Sequence, residues 1–501
     1  MAGATEASSG NQQGKRWLLA AFDMTCSGHQ SPGLWTHPED KSYRYNKITY
    51  WTDLAKKLEE GKFDFLFLAD VLGAYSVYGG NADAAIRSGA QFPVNDPLLS
   101  IGAMAAVTKN LAFGITATTS YEPPYSLARR FSTLDHLTNG RVGWNVVTGY
   151  LDSAARQFGR PQQDLHAKRY EVAHEYMDVV YKLWESSWAD DAVVLDPKSR
   201  IYSRPERVRE INHQGTFYPS VPGPHICEPS LQRTPVIFQA GSSGPGMAFA
   251  AKHAEVIFIA AHKPELAKKR VDQARAGAKE IGRDPDSLKV LALLCPIVGR
   301  TDEEAQKKFE DYYSHGSAEG ALALFGGWTG MDLAPYGDDE ELRQTESNAI
   351  KSAIESFASQ APSVGKWTKH QVADQLKIGG LGPYLVGSAS TVADQLEDWV
   401  NNAGVDGFNF AYTITPGTFN DLVDLLVPEL QKRGHVWADY ASPQPAPQDK
   451  LSTGTKGFGE GEEIGLTARE RLYGTRRLRE DHYGSRYTWK AGEEPPKLPL
   501  E

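Results

Sequence analysis

Short apolar and β-branched runs alternate along this chain with longer stretches whose apolar positions recur every three or four residues. The short runs read as strands buried on both faces and the longer stretches as amphipathic helices. Strands are expected at residues 17–22, 63–68, 111–116, 141–147, 235–239, 256–260, 289–295 and 407–411. Helical periodicity marks 50–60, 97–108, 125–137, 169–184, 264–281, 302–313, 390–402 and 418–432, with a further helix-like segment at 247–253. Alternation of this kind, with eight strands, predicts an α/β fold, a (β/α)8 TIM barrel rather than an open doubly wound sheet.

Two gaps break the rhythm, roughly 187–234 after the fourth strand and 315–384 after the seventh, both far longer than ordinary connections. They are long insertions at a barrel end, expected to act as lids and pocket walls, with neutral decoration as the alternative. Residues 1–15 are expected to be a disordered N-terminus, 16–440 a single barrel domain and 441–501 a C-terminal extension. The extension reads as a Pro-, Gly- and charge-rich linker over 450–463 and a basic arm over 469–486. That arm packs on a partner subunit or on the barrel mouth, or stays a solvated tail.

Composition narrows the function. The 501 residues are 41% hydrophobic and include 22 Tyr, 19 Phe and 11 Trp, enough for a large core and an aromatic-lined cavity. A formal net charge of -10, with no basic stripe interleaved with aromatics in the body of the chain, argues against nucleic acid as a partner. Cys26, Cys227 and Cys295 form no CxxC pair, which argues against a disulfide framework and a structural zinc site and fits a cytoplasmic location. The polar start lacks an apolar signal core, and no run of about 18 apolar residues occurs, so neither secretion nor a membrane span is expected.

The expected strand ends carry the chemistry. Cys26 and His29, three residues apart beyond the first strand, suggest a metal pair or a thiolate and base. After the fifth strand comes Ala240-Gly241-Ser242-Ser243-Gly244-Pro245-Gly246 and then a helix. Such a turn offers backbone N–H groups, hydroxyls and a positive dipole end to a phosphate, although a Ser-capped helix start would look the same. With no Gly-Lys-Ser/Thr and no spaced GxGxxG, one phosphate fits better than a dinucleotide. Asp70 ends the second strand, Thr116 lies at the end of the third, and Asn145 ends the fourth with Gly149 and Tyr150 beyond it. Hydroxyl and amide groups ringed in this way suit a flat heterocycle such as a flavin, whereas each alone could be a strand cap. A metal would need clustered His and carboxylates, and no metal site is expected.

Several segments resemble the flavin-dependent monooxygenases of the bacterial luciferase superfamily: Phe22-Asp23-Met24 through His29, Gly33-Leu34-Trp35, Tyr50-Trp51, Gly61-Lys62-Phe63-Asp64, Leu66-Phe67-Leu68-Ala69-Asp70, Trp144-Asn145-Val146-Val147-Thr148 and Ala240-Gly241. The resemblance spans about residues 17–440 and falls in the nitrilotriacetate, dibenzothiophene-sulfone and long-chain alkane monooxygenase group. Cys26, His29, Pro93-Val94-Asn95-Asp96-Pro97, Pro222-Gly223-Pro224-His225, Cys227-Glu228-Pro229 and Asp406-Gly407-Phe408-Asn409 are most similar to its long-chain alkane branch.

The resemblance implies FMN at the C-terminal face of the barrel, reduced by a separate NAD(P)H:FMN reductase, and O2 as co-substrate. One oxygen atom then enters a small apolar substrate, in the first instance a long-chain alkane hydroxylated at its end. The alternatives are a sulfur or nitrogen compound as substrate, or a flavin or deazaflavin barrel that inserts no oxygen. A metal-dependent hydrolase using Cys26 and His29, and a barrel that only binds, are the readings outside flavin chemistry. A homodimer or homotetramer is expected.

By the same resemblance, Asp70, Asn145, Gly149, Tyr150 and Tyr170 contact the flavin or its ribityl chain, and Ala240, Gly241, Ser242 and Ser243 its phosphate. Thr116 lies at the ring edge, and Arg169 is a phosphate or substrate contact. Cys26, His29 and Tyr75 line the reaction face, with His29 as hydrogen-bond donor or acid. Three positions depart from the alkane branch. Pro245 replaces an arginine of the phosphate turn, while Tyr150 and Leu324 stand where that branch has histidines, which weakens the phosphate grip and removes a proton donor from a greasier pocket.

Overall fold

The computed structural model describes residues 16–241, 243–342, 367–441 and 465–498. Its centre is a set of parallel strands: β1 (Leu18–Met24), β2 (Phe65–Ala69), β3 (Ala112–Thr118), β4 (Val142–Val147), β5 (Val236–Gln239), β6 (Val256–Ile259), β7 (Lys289–Gly299) and β8 (Gly407–Ala411). Each pairs with the next in chain order, and β8 also pairs with β1, so the sheet closes into the expected barrel. Most ends lie within one or two residues of their expected places. The end of β7 lies further out, because its outer half pairs along one side with Tyr384–Ser388. That one-sided pairing accommodates Pro296, which a strand flanked on both sides would exclude.

Period-two alternation sends Phe65 and Phe67 of β2 into the barrel, where Phe238 of β5 and Phe258 of β6 meet them. The Phe67 and Phe258 rings are 4.2 Å apart and those of Phe238 and Phe258 stack at 5.6 Å. Space for them comes from Gly143 in β4, where a Cβ would fall 2.3 Å from the Phe238 ring. The interior is thus a filled core rather than a channel, and groups that bind or react must stand beyond the strand ends. The outward residues pack under the surrounding helices; Trp144 is fully buried and its Nε1–H donates to Ala117 O.

The N-terminal end of the barrel is closed by the arm, which packs neither on the mouth nor into solvent. Ala468 joins the interior cluster, and its N–H donates to Gly140 O just before β4. Arg469, fully buried, makes a two-point ion pair with Glu255 just before β6 (2.8 and 2.9 Å) and donates to Thr234 O just before β5. Tyr473 donates to Ser287 O at 2.7 Å with Glu255 O 3.1 Å away, and Arg471 donates to Asn110 O. Burial alone would raise the Glu255 carboxyl, but Arg469 holds it below its ordinary range. The expected disorder of 1–15 and the linker at 450–463 lie outside the described residues.

The two insertions behave differently. The first begins only after the helix that follows β4 has carried the chain back toward the arm. It forms a hairpin of Val193–Asp196 with Ile201–Ser203, and Arg207 in it donates to Glu493 O. The hairpin therefore lies away from the mouth; Phe217, later in the insertion, packs under Lys168 of the helix His166–Tyr181, and no residue of the insertion lines the cavity described below. The second leaves from the extended β7 and contributes the helices Ala318–Thr329 and Lys369–Leu376 beside the mouth. Among the described residues no helix is long and apolar enough to cross a membrane.

Removing one partner of a buried ion pair strands the other charge. Arg469→Met should therefore lower folding free energy by about 3–5 kcal/mol in denaturant titration, and adding Glu255→Met should recover part of that loss.

Candidate active site at the C-terminal mouth

A cavity of about 310 Å³ opens beyond the C-terminal ends of β2 to β5. Eight of the expected cofactor residues line it: Asp70, Thr116, Gly149, Tyr150, Arg169, Tyr170, Ala240 and Gly241. Thr118 lines it too and belongs to the polar end of the expected third strand, Thr116-Ala117-Thr118-Thr119, while Tyr121, His166 and Gln239 also line it and were missed by the sequence reading. Thr118 shares the face of Thr116 two residues on, Gln239 is the last residue of β5, and His166 precedes Tyr170 by one helical turn, so strand and helix periodicity held the signal for each.

Asp70 is the first residue beyond β2 and is half-buried. Burial, reinforced by the Asp96 carboxylate, pushes its carboxyl up to about 7. Across the β3–β4 pairing Thr116 stands opposite Asn145, whose Nδ2–H donates to Thr116 Oγ1 at 2.9 Å. Asn145 Oδ1 is buried without a partner among the described residues, a polar demand that a ligand N–H can meet. Gly149 has φ +62°, and a Cβ there would crowd the Gln163 amide.

At the turn after β5, Gln239 Oε1 accepts from Gly241 N–H at 2.8 Å. Ser243 caps the helix Gly244–His253 by accepting from Gly246 N–H, and its Oγ lies 3.2 Å from His166 Nε2. The Tyr170 hydroxyl sits over this turn so closely that a Cβ on Gly241 or Gly246 would lie 2.8 Å from it. Arg169 stands at the cavity wall with its Nε buried and without a hydrogen-bond partner among the described residues, and burial lowers its pKa. Ser242 lies outside the described residues. A cation, a hydroxyl and a capped helix start thus surround a glycine turn, a donor set whose chemistry suits one phosphate.

The expected reaction-face residues are placed differently. Tyr75 is buried behind the wall, donating to Gln91 Oε1 (2.8 Å), accepting from Trp328 Nε1–H (3.1 Å) and lying 2.9 Å from the Tyr150 hydroxyl. Gln91 Nε2–H donates to His29 O at 2.9 Å, which fixes the amide orientation. Tyr75 has one proton and gives it to Gln91, so Tyr150 donates to Tyr75. Gln91 and Trp328 carry no local signal, since Trp328 is 253 residues from Tyr75.

Neither Cys26 nor His29 lines the cavity. Both are buried, His29 with its ring edge-on to Phe22 at 4.3 Å. Burial lowers the imidazole to about 3, so His29 is neutral near pH 7 and its Nδ1 has no partner among the described residues. Burial and the Asp23 carboxyl raise the Cys26 thiol, which therefore stays protonated. At rest near pH 7 the pair offers a thiol and a neutral imidazole rather than a thiolate and an imidazolium.

A family profile described as luciferase-like monooxygenase matches residues 21–407. The chain is 53% identical over 426 residues to the dimethyl-sulfide monooxygenase of Hyphomicrobium sulfonivorans, covering 85% of this chain and 88% of that protein. The crystal structure of DmoA from the same organism superposes with a TM-score of 0.86 at 49% identity, covering 95% and 96% of the two chains. The long-chain alkane monooxygenase of Geobacillus thermodenitrificans (strain NG80-2) is 46% identical over 475 residues, 94% of this chain and 98% of that protein. A crystal structure of riboflavin lyase (RcaE) with modified FMN and riboflavin superposes with a TM-score of 0.82 at 32% identity, covering 95% of this chain and all of that one.

Because Asp70 keeps its proton in the folded chain up to about pH 7 and releases it near 3.8 when unfolded, its contribution to stability falls as pH rises between those values. Relative to the parent chain, Asp70→Asn should gain about 1–2 kcal/mol of stability between about pH 4 and pH 7, allowing for water in the open cavity, read from denaturation curves at both pH values.

Proposed function

The chain belongs to the luciferase-like monooxygenase family, and from that premise we propose that it is the oxygenating half of a two-component FMN-dependent system acting on a small apolar substrate. A separate NAD(P)H:FMN reductase would supply the reduced cofactor. The observation that carries this reading is the lining of the cavity. Asp70, Thr116, Arg169, Tyr170 and Gly241 line it, with the unmet acceptor of Asn145 bonded to Thr116 behind them, a donor and acceptor set that suits the heterocycle, ribityl chain and phosphate of FMN.

Bound there in reduced form, FMN would supply the reaction with O2 and the transfer of one oxygen atom. The chain's own part is orientation, exclusion of water and control of protons. Tyr150, held as a donor to Tyr75, presents its hydroxyl lone pair rather than its proton to the cavity. His29 acts as a neutral hydrogen-bonding imidazole, and Cys26 as a protonated packing group. Leu324, fully buried, packs with Ala323, Leu151 and Ala154 around Tyr75, an aliphatic backing that suits an apolar substrate.

The cavity of about 310 Å³ adjoins a second of about 580 Å³ with which it shares Asp70, Val71, Leu72, Thr116, Thr118 and Tyr121, so a bound mononucleotide leaves space beside it for a substrate. A small sulfide is supported by the 53% identity to the dimethyl-sulfide enzyme. The second reading, a long-chain alkane, is supported by the 46% identity to the alkane enzyme over 94% of this chain.

The protein, a flavin reductase, NADH, FMN and 18O2 should consume O2 in a substrate-dependent way and place one labelled oxygen atom in the product. Dimethyl sulfide should be turned over in preference to a long-chain alkane series. Substrate oxidation without label would mean hydride transfer instead. Although neither lines the cavity, the family resemblance places His29 and Cys26 on the reaction face, so His29→Ala and Cys26→Ser should each lower oxygenation more than they lower FMN affinity. Equal loss of both would leave them a packing role only.

A further inference from the structure

Two imidazoles and a carboxylate meet where the loop leaving β1 touches the end of the helix Asp302–His315. His37 follows the short turn Leu34–Thr36, and Asp311 and His315 stand one helical turn apart on a single helix face. One ligand atom from each of the three lies within 4.8 Å of the other two. His37 Nε2 is 3.0 Å from Asp311 Oδ2, and the two imidazole centroids are 5.0 Å apart. His37 is buried, His315 half-buried and Asp311 exposed, so the cluster has a protein floor and a side open to water. None of the three lines the candidate active site.

The hydrogen bonds around the cluster set the ring protons. Thr36 Oγ1 donates to Gly33 O at 2.8 Å, so toward His315 Nδ1, 3.0 Å away, it accepts. His315 thus carries its proton on Nδ1 and presents the Nε2 lone pair, held by the kind of outer contact that orients metal-bound histidines. His37 is set the other way, since its Nδ1 accepts from Glu39 N–H at 3.2 Å and its Nε2–H points to Asp311. Coordination through Nε2 moves that proton to Nδ1 and gives up the Glu39 contact, a cost that makes for moderate affinity.

We propose that His37, Asp311 and His315 form a binding site for one divalent transition-metal ion, Zn2+ first among them, with water as the fourth ligand. Two nitrogens and one oxygen suit Zn2+ or Co2+ better than the oxygen-seeking Ca2+ and Mg2+. Tetrahedral coordination at about 2.0–2.2 Å places ligand atoms roughly 3.4 Å apart. The His37–Asp311 separation is already close to that, and rotation of the exposed Asp311 side chain and the half-buried His315 side chain closes the rest. The ion would clamp the β1 loop, which carries Cys26 and His29, to the root of the helix Ala318–Thr329, which carries Leu324 and Trp328. Backbone contact already exists at that joint, where Ser317 N–H donates to Pro32 O at 2.8 Å. The role is structural, and the site does not depend on the proposed reaction.

Equilibrium dialysis of the untagged full-length protein against Zn2+, with metal analysis, is expected to show one bound ion. Co2+ in its place should give the visible absorption of a tetrahedral nitrogen–oxygen site, and either ion should raise Tm. Asp311→Asn and His315→Gln, on the open side of the cluster and checked for folding by circular dichroism, should each abolish the bound ion and the Tm shift. His370→Gln, at an exposed His–Asp pair with the same helical spacing (3.2 Å), should leave both intact. No stoichiometric ion in the parent protein, or an ion retained in both cluster variants, would overturn the proposal.

Discussion

A closed parallel barrel must fill its own interior with the inward side chains of its strands, and every other feature of this chain is arranged around that constraint. Phe65, Phe67, Phe238 and Phe258 supply the bulk, while glycine at 143 supplies the space. With the interior occupied, a ligand finds room only at and beyond the C-terminal ends of the strands. Asp70, Thr118, Val147 and Gln239 mark the level at which packing stops and the cavity begins.

The two ends of the barrel are put to opposite uses. At the N-terminal end the arm lays Ala468 against the interior and buries Arg469 against Glu255, so that a guanidinium with no exposed surface is held by a carboxylate and backbone carbonyls. The first insertion reinforces that closure. At the C-terminal end the second insertion adds Trp328 to the hydroxyl network of Tyr75 and Tyr150. One end is spent on stability and the other is left open for a ligand.

Burial also decides the charge states at the mouth. The carboxyl of Asp70 rises to about 7, the imidazole of His29 falls to about 3 and the thiol of Cys26 rises, so each favours its neutral form in the interior. Arg169 stands at the cavity wall beside the glycine turn, where an anion would be met, and Asp70 lines the same cavity with a carboxyl that titrates near neutrality.

Strand and helix positions were legible in the chain because buried parallel strands and amphipathic helices impose periods of their own, and the polar residues that end the strands could be picked out once the strands were placed. Asp70, Thr116 and the turn at Gly241 were found in this way, and Tyr170 through the family resemblance. The pairing of Tyr75 with Trp328, the burial of Arg469 on Glu255 and the meeting of His37 with Asp311 across 274 residues leave no local periodicity, because each joins elements brought together only when the barrel closes. The protonation of His29 and Cys26 belongs to the same class. Residue type alone allows an acid and a nucleophile there, and only the low dielectric of the packed structure decides that both are neutral.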